Sequence, residues 1–403
     1  MAVEEPAPYQ TAEVVSLDEH RLPRFASRVT AALVAIALII AAYTGFRVPN
    51  LWSVTLMAVS ITDGFRRRFL VGTLLRPIAE SRNFSYWWYA AVAFVVLVAL
   101  LAVIVVAALR ARLLSQRFLV IAFFLLPTGG YLFQEVGYLD QLIYLFLFVA
   151  LIVIDRPAWW LGPVLMTLAV VTHELALVTA IPVFAFVVLR RYEPRRALIA
   201  LAPPAVVGVI VLLVPGASSD AIPDFKRLVA GANWKPRADA LSLFSRTQSE
   251  SLDLYDPREV FYFLIPLIII GLVAFLLVYG ADRAHEPAPV LAEWAGPYPW
   301  LYPAMAVLAI VSPALLIWAG WDKWRWGFLL LANFFLVTWI WLGERGRELD
   351  TIQFVTLAAA LLVTVHVSLL YFDLYEPRDL SAEHWREFRA QIEDGSLVDI
   401  PER

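Results

Sequence analysis

Long runs of apolar residues without Lys, Arg, Asp or Glu constrain this chain more than any other feature of its sequence. The runs are about 17 to 24 residues long, and a helix that rises about 1.5 Å per residue needs about 20 residues to cross a bilayer. Only 17% of the residues are charged and the mean hydropathy is +0.71, which excludes a soluble enzyme. The sequence therefore predicts an all-α, polytopic integral membrane helix bundle.

About eleven crossings are predicted, to within one or two. The spans are expected near 29–46, 86–109, 118–133, 138–154, 158–172, 175–189, 197–214, 259–279, 299–318, 327–342 and 351–372. Short cytoplasmic loops are enriched in Lys and Arg, so the Arg clusters before 29, between 110 and 117 and between 190 and 196 are assigned to the cytoplasm. That assignment requires residues 158–189 to form a hairpin with its outer turn near His173.

Polar segments frame this transmembrane domain, which is expected over 28–372. Residues 1–27 are predicted to be a disordered cytoplasmic tail without a signal peptide. Residues 373–403 form a polar tail outside, with a short surface helix around His384 to Ile392. The external loops are expected at 48–85, 215–258 and 319–326. The preference for Arg over Lys indicates a bacterial protein, and we therefore expect a multi-pass protein of the cytoplasmic (inner) membrane with a cytoplasmic N-terminus.

The first external loop breaks the charge rule, since Arg66, Arg67 and Arg68 lie where Arg should be rare. From Asp63 to Leu75 the pattern predicts an amphipathic helix at the interface. One interpretation is that the guanidiniums bind a phosphate or pyrophosphate bidentately, with Asp63 among them. The other is an interfacial helix that binds anionic headgroups.

His173 and Glu174 are the only titratable residues between Arg156 and Arg190. A charge at the bilayer centre costs about 3 kcal/mol or more, so both residues should face a cavity or the outer turn. They are candidates for acceptor binding or proton relay. A neutral histidine hydrogen-bonded within the bundle is the simpler alternative.

Charges and aromatic rings also meet in two later turns. In the first turn, aromatic rings that can stack on sugars alternate with cations that can bind a phosphate. The alternative is an aromatic belt, because Trp is common at membrane interfaces. The first turn contains Trp321, Asp322, Lys323, Trp324 and Arg325. Glu135 and Asp140 flank a second turn, in which a structural role and a substrate-binding role are equally open. The long 215–258 loop can act as a lid over the same external site.

Several site classes are absent from the sequence. There is no cysteine and therefore no disulfide or thiolate metal site, and no ligand motif supports a divalent metal or another cofactor. The chain has no phosphate-binding glycine-rich motif for ATP, and a net charge of −3 argues against nucleic-acid binding.

The layout resembles the polyprenol-dependent membrane glycosyltransferases of the GT-C class and the EpsG-like bacterial polysaccharide proteins. The resemblance rests on the span pattern, on Asp63-Gly64-Phe65-Arg66-Arg67-Arg68, on His173-Glu174, and on the segment from Trp321 to Trp326. It implies that a sugar moves from a polyprenyl-phosphate or diphosphate donor to a glycan or lipid acceptor at the external face, in an inverting reaction among membrane lipids. It also implies Asp63 as catalytic base, with Glu174 as runner-up.

Two other functions remain open from the sequence. A transporter or flippase of lipid-linked sugars needs a polar path across the whole bilayer, whereas polar residues here concentrate at the external ends of the spans. The second alternative is a noncatalytic subunit of a surface-polysaccharide complex.

Overall fold

The computed structural model of the protein describes residues 24–245, 268–277, 301–318, 323–346, 348–371 and 376–394. Helices joined by turns make up these residues, and no β-strand occurs among them. In chain order the helices are α1 (Arg24–Gly45), α2 (Leu51–Ala58), α3 (Leu70–Ser81), α4 (Tyr86–Arg110), α5 (Leu114–Leu125), α6 (Pro127–Gln134), α7 (Leu139–Val153), α8 (Leu161–Thr172), α9 (Ala180–Arg191), α10 (Pro194–Leu213), α11 (Ala221–Leu228), α12 (Ala238–Ser242), α13 (Ile268–Leu277), α14 (Leu301–Val311), α15 (Lys323–Arg345), α16 (Thr351–Tyr371) and α17 (Ala382–Glu393).

Each predicted span contains at least one of these helices. Within the described ranges, α1, α4, α10 and α15 are long and apolar enough to cross a membrane. A fifth candidate is the pair α5 and α6, which is bent by 58°. The helices α7, α8 and α13 are apolar but shorter than one upright crossing. An all-helical bundle with helices long and apolar enough to cross a membrane is therefore confirmed, whereas the count of about eleven crossings stays a prediction.

The segment 158–189 doubles back as the sequence predicts. Trp159 precedes α8 and Tyr192 follows α9, yet their rings lie 5.8 Å apart. A Cβ added at Gly162, near the start of α8, would lie 3.3 Å from the ring of Phe184 in α9. Helices α8 and α9 therefore form a hairpin, and His173 and Glu174 lie at its tip.

Asn333 in α15 joins four parts of the bundle and is fully buried. Its Nδ2 donates to the carbonyl oxygens of Thr179 at 3.1 Å and Ala309 at 2.8 Å. Its Oδ1 accepts a hydrogen bond of 2.7 Å from the Tyr144 hydroxyl. Because the partners lie in α7, in α14 and just before α9, this amide fixes the register of helices that are distant in sequence.

The end of the bundle opposite the hairpin tip carries most of the arginines that the sequence assigns to the cytoplasm. Arg117 is buried there and donates to the carbonyl oxygens of Leu109 at 2.9 Å and Ala111 at 3.3 Å. Arg190 pairs with Glu344 at 3.0 Å. The two ends of the bundle are therefore chemically distinct, while their assignment to the two sides of the membrane stays a prediction.

The C-terminal segment folds back onto the end of α1. Arg378 donates its backbone N–H to the carbonyl oxygen of Thr44 at 3.0 Å and its guanidinium to that of Phe46 at 2.9 Å. The ring of Phe388 in α17 then packs edge-on against Tyr43, with centroids 5.5 Å apart. Helix α17 confirms the short helix predicted around His384 to Ile392.

The predicted segment boundaries need three adjustments. Helix α1 already begins at Arg24, so residues 24–27 are helical rather than part of the predicted tail, and residues 1–23 lie outside the described residues. The helix of the first loop is Leu70–Ser81 rather than Asp63 to Leu75, and its position at a membrane interface stays a prediction. Helix α15 begins inside the predicted loop 319–326.

Candidate functional site

The first loop reverses direction at Ser60 to Phe65. A short 3-10 turn, Ile61–Asp63, follows Ser60, whose side chain accepts from the N–H of Thr62. Gly64 then adopts a φ of +89°, which suits glycine because it has no Cβ. The turn buries Phe65 completely between the rings of Phe225, at 5.7 Å, and Phe244, at 4.8 Å.

The long loop after α10 therefore packs tightly on the first loop. Besides the contacts of Phe65, the indole Nε1 of Trp234 donates to the carbonyl oxygen of Phe84 at 2.6 Å. The side chain of Asn233 accepts from the N–H of Tyr86 at 2.9 Å, at the start of α4. Residues 215–245 thus form a folded cover at this end of the bundle, and the rest of the predicted lid, 246–258, lies outside the described residues.

The side chains of the three adjacent arginines of the first loop lie in three different environments. Arg66 is exposed and makes no side-chain hydrogen bond or ion pair with the described residues. Arg67 donates to the carbonyl oxygens of Leu212 at 3.0 Å and Val214 at 2.7 Å. These oxygens lie at the C-terminal end of α10, where a helix leaves carbonyls unsatisfied. Arg67 thus has a structural role, and Arg66 remains free for a ligand.

Arg68 forms an ion pair with Glu174 at the tip of the hairpin. Its Nε lies 3.0 Å from Oε1 and 3.2 Å from Oε2, so both carboxylate oxygens are engaged. Arg68 adopts a φ of +55°, a left-handed conformation that is uncommon for a residue with a side chain. The backbone accepts this strain where the loop turns toward α3, and the ion pair holds the loop against the hairpin.

Asp63 is paired with Arg76 of α3, and both side chains are largely buried. Only Oδ2 of Asp63 contacts this guanidinium, which also lies 3.7 Å from Glu80 and 5.3 Å from the ring centroid of Phe84. Sequence reasoning missed Arg76 as a partner. Arg76 and Glu80 lie four residues apart on one face of a helix, which predicts only their own pair, so no local spacing pointed to Asp63.

The tip of the hairpin is a break between α8 and α9, outside both helices. His173 is buried, and its Nδ1 accepts a hydrogen bond of 3.1 Å from the N–H of Leu175. Its Nε2 is buried with no hydrogen-bond partner among the described residues. Burial above all, and then the positive charges of Arg68 and Arg325, lower the pKa of His173 well below its usual value, against the opposing charge of Glu174.

Glu174 stays ionised at the same tip. Burial raises the pKa of its carboxyl, but the charge of Arg68 and the hydrogen bond from Arg68 outweigh burial and lower the pKa well below its usual range. The tip therefore combines a neutral imidazole that has one unused nitrogen with a carboxylate whose oxygens are both occupied.

A second buried ion pair joins the first turns of α7 and α15. Arg325 Nε lies 3.1 Å from Asp140 Oδ2, and the side chains are 9% and 8% exposed. The guanidinium also lies 5.1 Å from the ring centroid of Tyr138. The backbone carbonyl of Glu135 accepts from Gln141 at 3.1 Å and so fixes the preceding turn. The charge of Arg325 is also one of the causes that lower the pKa of His173.

The remaining predicted residues add little to the described site. Trp321 and Asp322 lie outside the described residues. Lys323 and Trp324 begin α15, and the structure describes their backbone only. Among the residues that the structure describes, no three His, Asp or Glu side chains converge to hold a metal ion.

An apolar cavity of about 520 Å³ runs between α4, α5, α7 and α15. At the site end it is lined by Glu135, Tyr138, Asp140 and Arg325, and at the other end by Gln116, Arg191 and Glu344. Its middle is apolar, with Leu100, Phe148, Leu151, Phe328 and Ala332 among the walls. The cavity thus offers a long apolar ligand a path that ends at buried charges.

No family model, curated protein or solved structure matches this chain. The inference of function therefore rests on the geometry of the cluster and the cavity.

Proposed function

We propose that this protein is a membrane glycosyltransferase that moves a sugar from a polyprenyl-phosphate or diphosphate donor to a glycan or lipid acceptor. The observation that carries the proposal is the apolar cavity that ends at the buried pair of Asp140 and Arg325. A donor with a long apolar tail and an anionic headgroup fits walls of this kind. Its tail lies between the helices while its sugar phosphate meets the polar end.

Arg66 is the cation that this proposal assigns to the donor phosphate. It is exposed and makes no side-chain hydrogen bond or ion pair with the described residues, whereas Arg67 and Arg68 are occupied by carbonyl and carboxylate oxygens. A guanidinium binds phosphate oxygens bidentately and stabilises the negative charge that develops on the leaving group.

Asp63 is the preferred base, because only one of its oxygens is held by Arg76 and the other has no partner among the described residues. Both oxygens of Glu174 are occupied by Arg68. In the proposed step the acceptor hydroxyl attacks the anomeric carbon and gives its proton to Asp63. The bond from that carbon to the phosphate oxygen breaks, and its electron pair leaves with the phosphate.

The test is transfer from a panel of radiolabelled polyprenyl-phosphate hexoses by the full chain in liposomes. Asp63→Asn should abolish transfer, while Asp224→Asn, which changes an exposed acid of the covering loop, should leave it unchanged. Unchanged turnover in Asp63→Asn, together with loss in Glu174→Gln, would move the base to Glu174. Full activity in both variants would refute a carboxylate base at this end.

The cavity itself is tested by filling it. Ala332→Trp places a large ring in the wall and should abolish donor binding, with Ala332→Leu as a milder version. Val206→Trp is the matched control, because Val206 is 58% exposed on α10 and does not line the cavity. Equal donor binding by all three variants would contradict the assignment of the tail.

A flippase for lipid-linked sugars is the second candidate, and one observation favours it. The cavity has polar groups at both ends, including Arg191 and Glu344 opposite the candidate site. A flippase would move a fluorescent lipid-linked sugar between leaflets with Asp63→Asn as fast as with the native chain. A transferase would show loss of transfer in that variant and no movement between leaflets.

A further inference from the structure

We infer a separate binding site for an anionic phospholipid at the end of the bundle opposite the candidate catalytic cluster. Its headgroup is held by Arg110 and Arg112, and its acyl chains enter a second cavity of about 570 Å³ that these residues line. This inference does not rest on the proposed transferase activity.

The two arginines are displayed by a rigid turn. Arg110 ends α4 and Arg112 lies just before α5, and both are exposed. The buried guanidinium of Arg117 bonds the carbonyl oxygens of Leu109 and Ala111 and so fixes the peptide between them. The turn therefore holds two cations in place, one on each side of a buried alanine.

No acidic side chain of the described residues neutralises this pair. Neither Arg110 nor Arg112 forms an ion pair with them. The nearby Glu348 is occupied, because it accepts hydrogen bonds from the N–H and hydroxyl of Ser115 at 3.1 and 2.8 Å. The two cations remain available for an anion from the bilayer surface.

Small residues make room for acyl chains behind the arginines. Ala102, Ala107, Ala111, Gly343 and Gly346 line the cavity, together with apolar side chains of α4 and α7. Trp339 also lines the cavity, and its buried Nε1 has no hydrogen-bond partner among the described residues.

The site favours a phospholipid over a soluble anion, because cations at the mouth continue directly into an apolar interior. Positively charged helix ends lie where anionic headgroups concentrate, which the distribution of arginines also predicts for this end. The walls Val103, Ala107, Gln116, Ile152, Trp339 and Gly343 are shared with the first cavity. A lipid bound here therefore contacts the helices that would hold a donor tail.

The test counts phosphatidylglycerol molecules retained by the purified full chain in native mass spectrometry, over a lipid titration at low salt. Arg110→Gln with Arg112→Gln should weaken binding about 25-fold, since each basic residue at a membrane surface contributes about fivefold. Arg156→Gln with Arg195→Gln is the matched control, because both are exposed arginines at the same end that do not line the cavity.

The acyl-chain part of the site has its own variants. Ala107→Trp should weaken phosphatidylglycerol binding at least tenfold, and Ala107→Leu should do so partially if the larger ring prevents folding. Val98→Trp is the control on the same helix, because Val98 is 62% exposed and lies outside both cavities.

Three results would overturn the inference. Equal weakening by the control arginine pair would show general surface attraction. Full binding in both Ala107 variants would show that the chains do not enter the cavity. Displacement of the lipid by glycerol phosphate at equal concentration would show a site for a soluble anion. The inference is supported if phosphatidylglycerol binding is weakened in the Arg110→Gln, Arg112→Gln variant and in the Ala107 variants but not in their controls.

Discussion

Replacing Asn333 by Leu removes the buried amide that joins four parts of the bundle while keeping a side chain of similar size. The substitution eliminates three hydrogen bonds, to Tyr144, Thr179 and Ala309. Hydrogen bonds between membrane helices contribute about 0.6 kcal/mol on average and up to about 1.7 kcal/mol. We therefore expect Asn333→Leu to lower the free energy of unfolding by about 2 kcal/mol, with about 5 kcal/mol as the upper bound.

Tyr144→Phe is the graded comparison, because it removes only one hydroxyl. That hydroxyl donates to Asn333 and also lies 3.2 Å from the carbonyl oxygen of Leu329. The expected loss is about 0.6 kcal/mol. In the double variant, Tyr144→Phe should cost less than it does alone, because Asn333→Leu has already removed the bond that the two residues share and only the Leu329 carbonyl remains as an acceptor.

The assay is reversible unfolding of the full chain in mixed micelles of increasing SDS content, followed by circular dichroism. Thr167→Val is the control, since the Thr167 hydroxyl bonds only the Pro163 carbonyl of its own helix, at 2.8 Å. A loss in Asn333→Leu no greater than in Tyr144→Phe, or additive losses in the double variant, would refute the shared network.

Three further predictions concern the candidate site. Arg67→Ala should lower the free energy of unfolding by about 1 to 3 kcal/mol, because it leaves carbonyl oxygens at the end of α10 without their hydrogen-bond donor. Arg66→Ala should change the free energy of unfolding by less than about 0.5 kcal/mol and should weaken phosphate binding instead. SDS unfolding measures the stability of each variant, and a lipid-phosphate titration measures its binding. Gly72→Val should abolish folded protein on size-exclusion chromatography, because a Cβ there would collide with the backbone of Val59. Folding lowers the pKa of Glu174, so its ion pair with Arg68 stabilises the protein above the ordinary carboxyl pKa. This stabilisation is lost as the pH falls through the lowered pKa. The free energy of unfolding should therefore depend less on acid pH in Glu174→Gln than in the native chain.

Hydropathy predicted where the helices lie, because burying an apolar run in lipid depends on the run itself and on no other part of the chain. The Arg clusters on either side of 118–189 predicted the hairpin of α8 and α9, because they required an even number of crossings. Hydropathy and charge did not predict the bend between α5 and α6, and they predicted the ends of the helices less accurately. Helix ends depend on contacts with neighbouring elements.

The pairings within the site could not be predicted in the same way. Arg66, Arg67 and Arg68 look equivalent in sequence, yet the left-handed backbone at Arg68 sends them to solvent, to a helix end and to Glu174. The partners of Arg68 and Arg325 lie 106 and 185 residues away along the chain, which no local pattern encodes.

Two glycines of the first loop are required by packing. Gly64 allows the positive φ of a turn, and a Cβ there would collide with the hydroxyl of Ser218. Gly72 allows α3 to approach the end of α2. Both need the absence of a Cβ for packing, so glycine alone did not distinguish a ligand site from a tight contact.

The attachment of the C-terminal segment to α1 has a consequence for biosynthesis. The carbonyl oxygens of Tyr43 and Phe46 receive their partner from Arg378, which is 335 and 332 residues later in the chain. The C-terminal end of α1 thus lacks this partner until residue 378 has been synthesised. A chain truncated before Arg378 should insert its early helices but leave α1 poorly anchored, and quality-control proteases would recognise such products at that end.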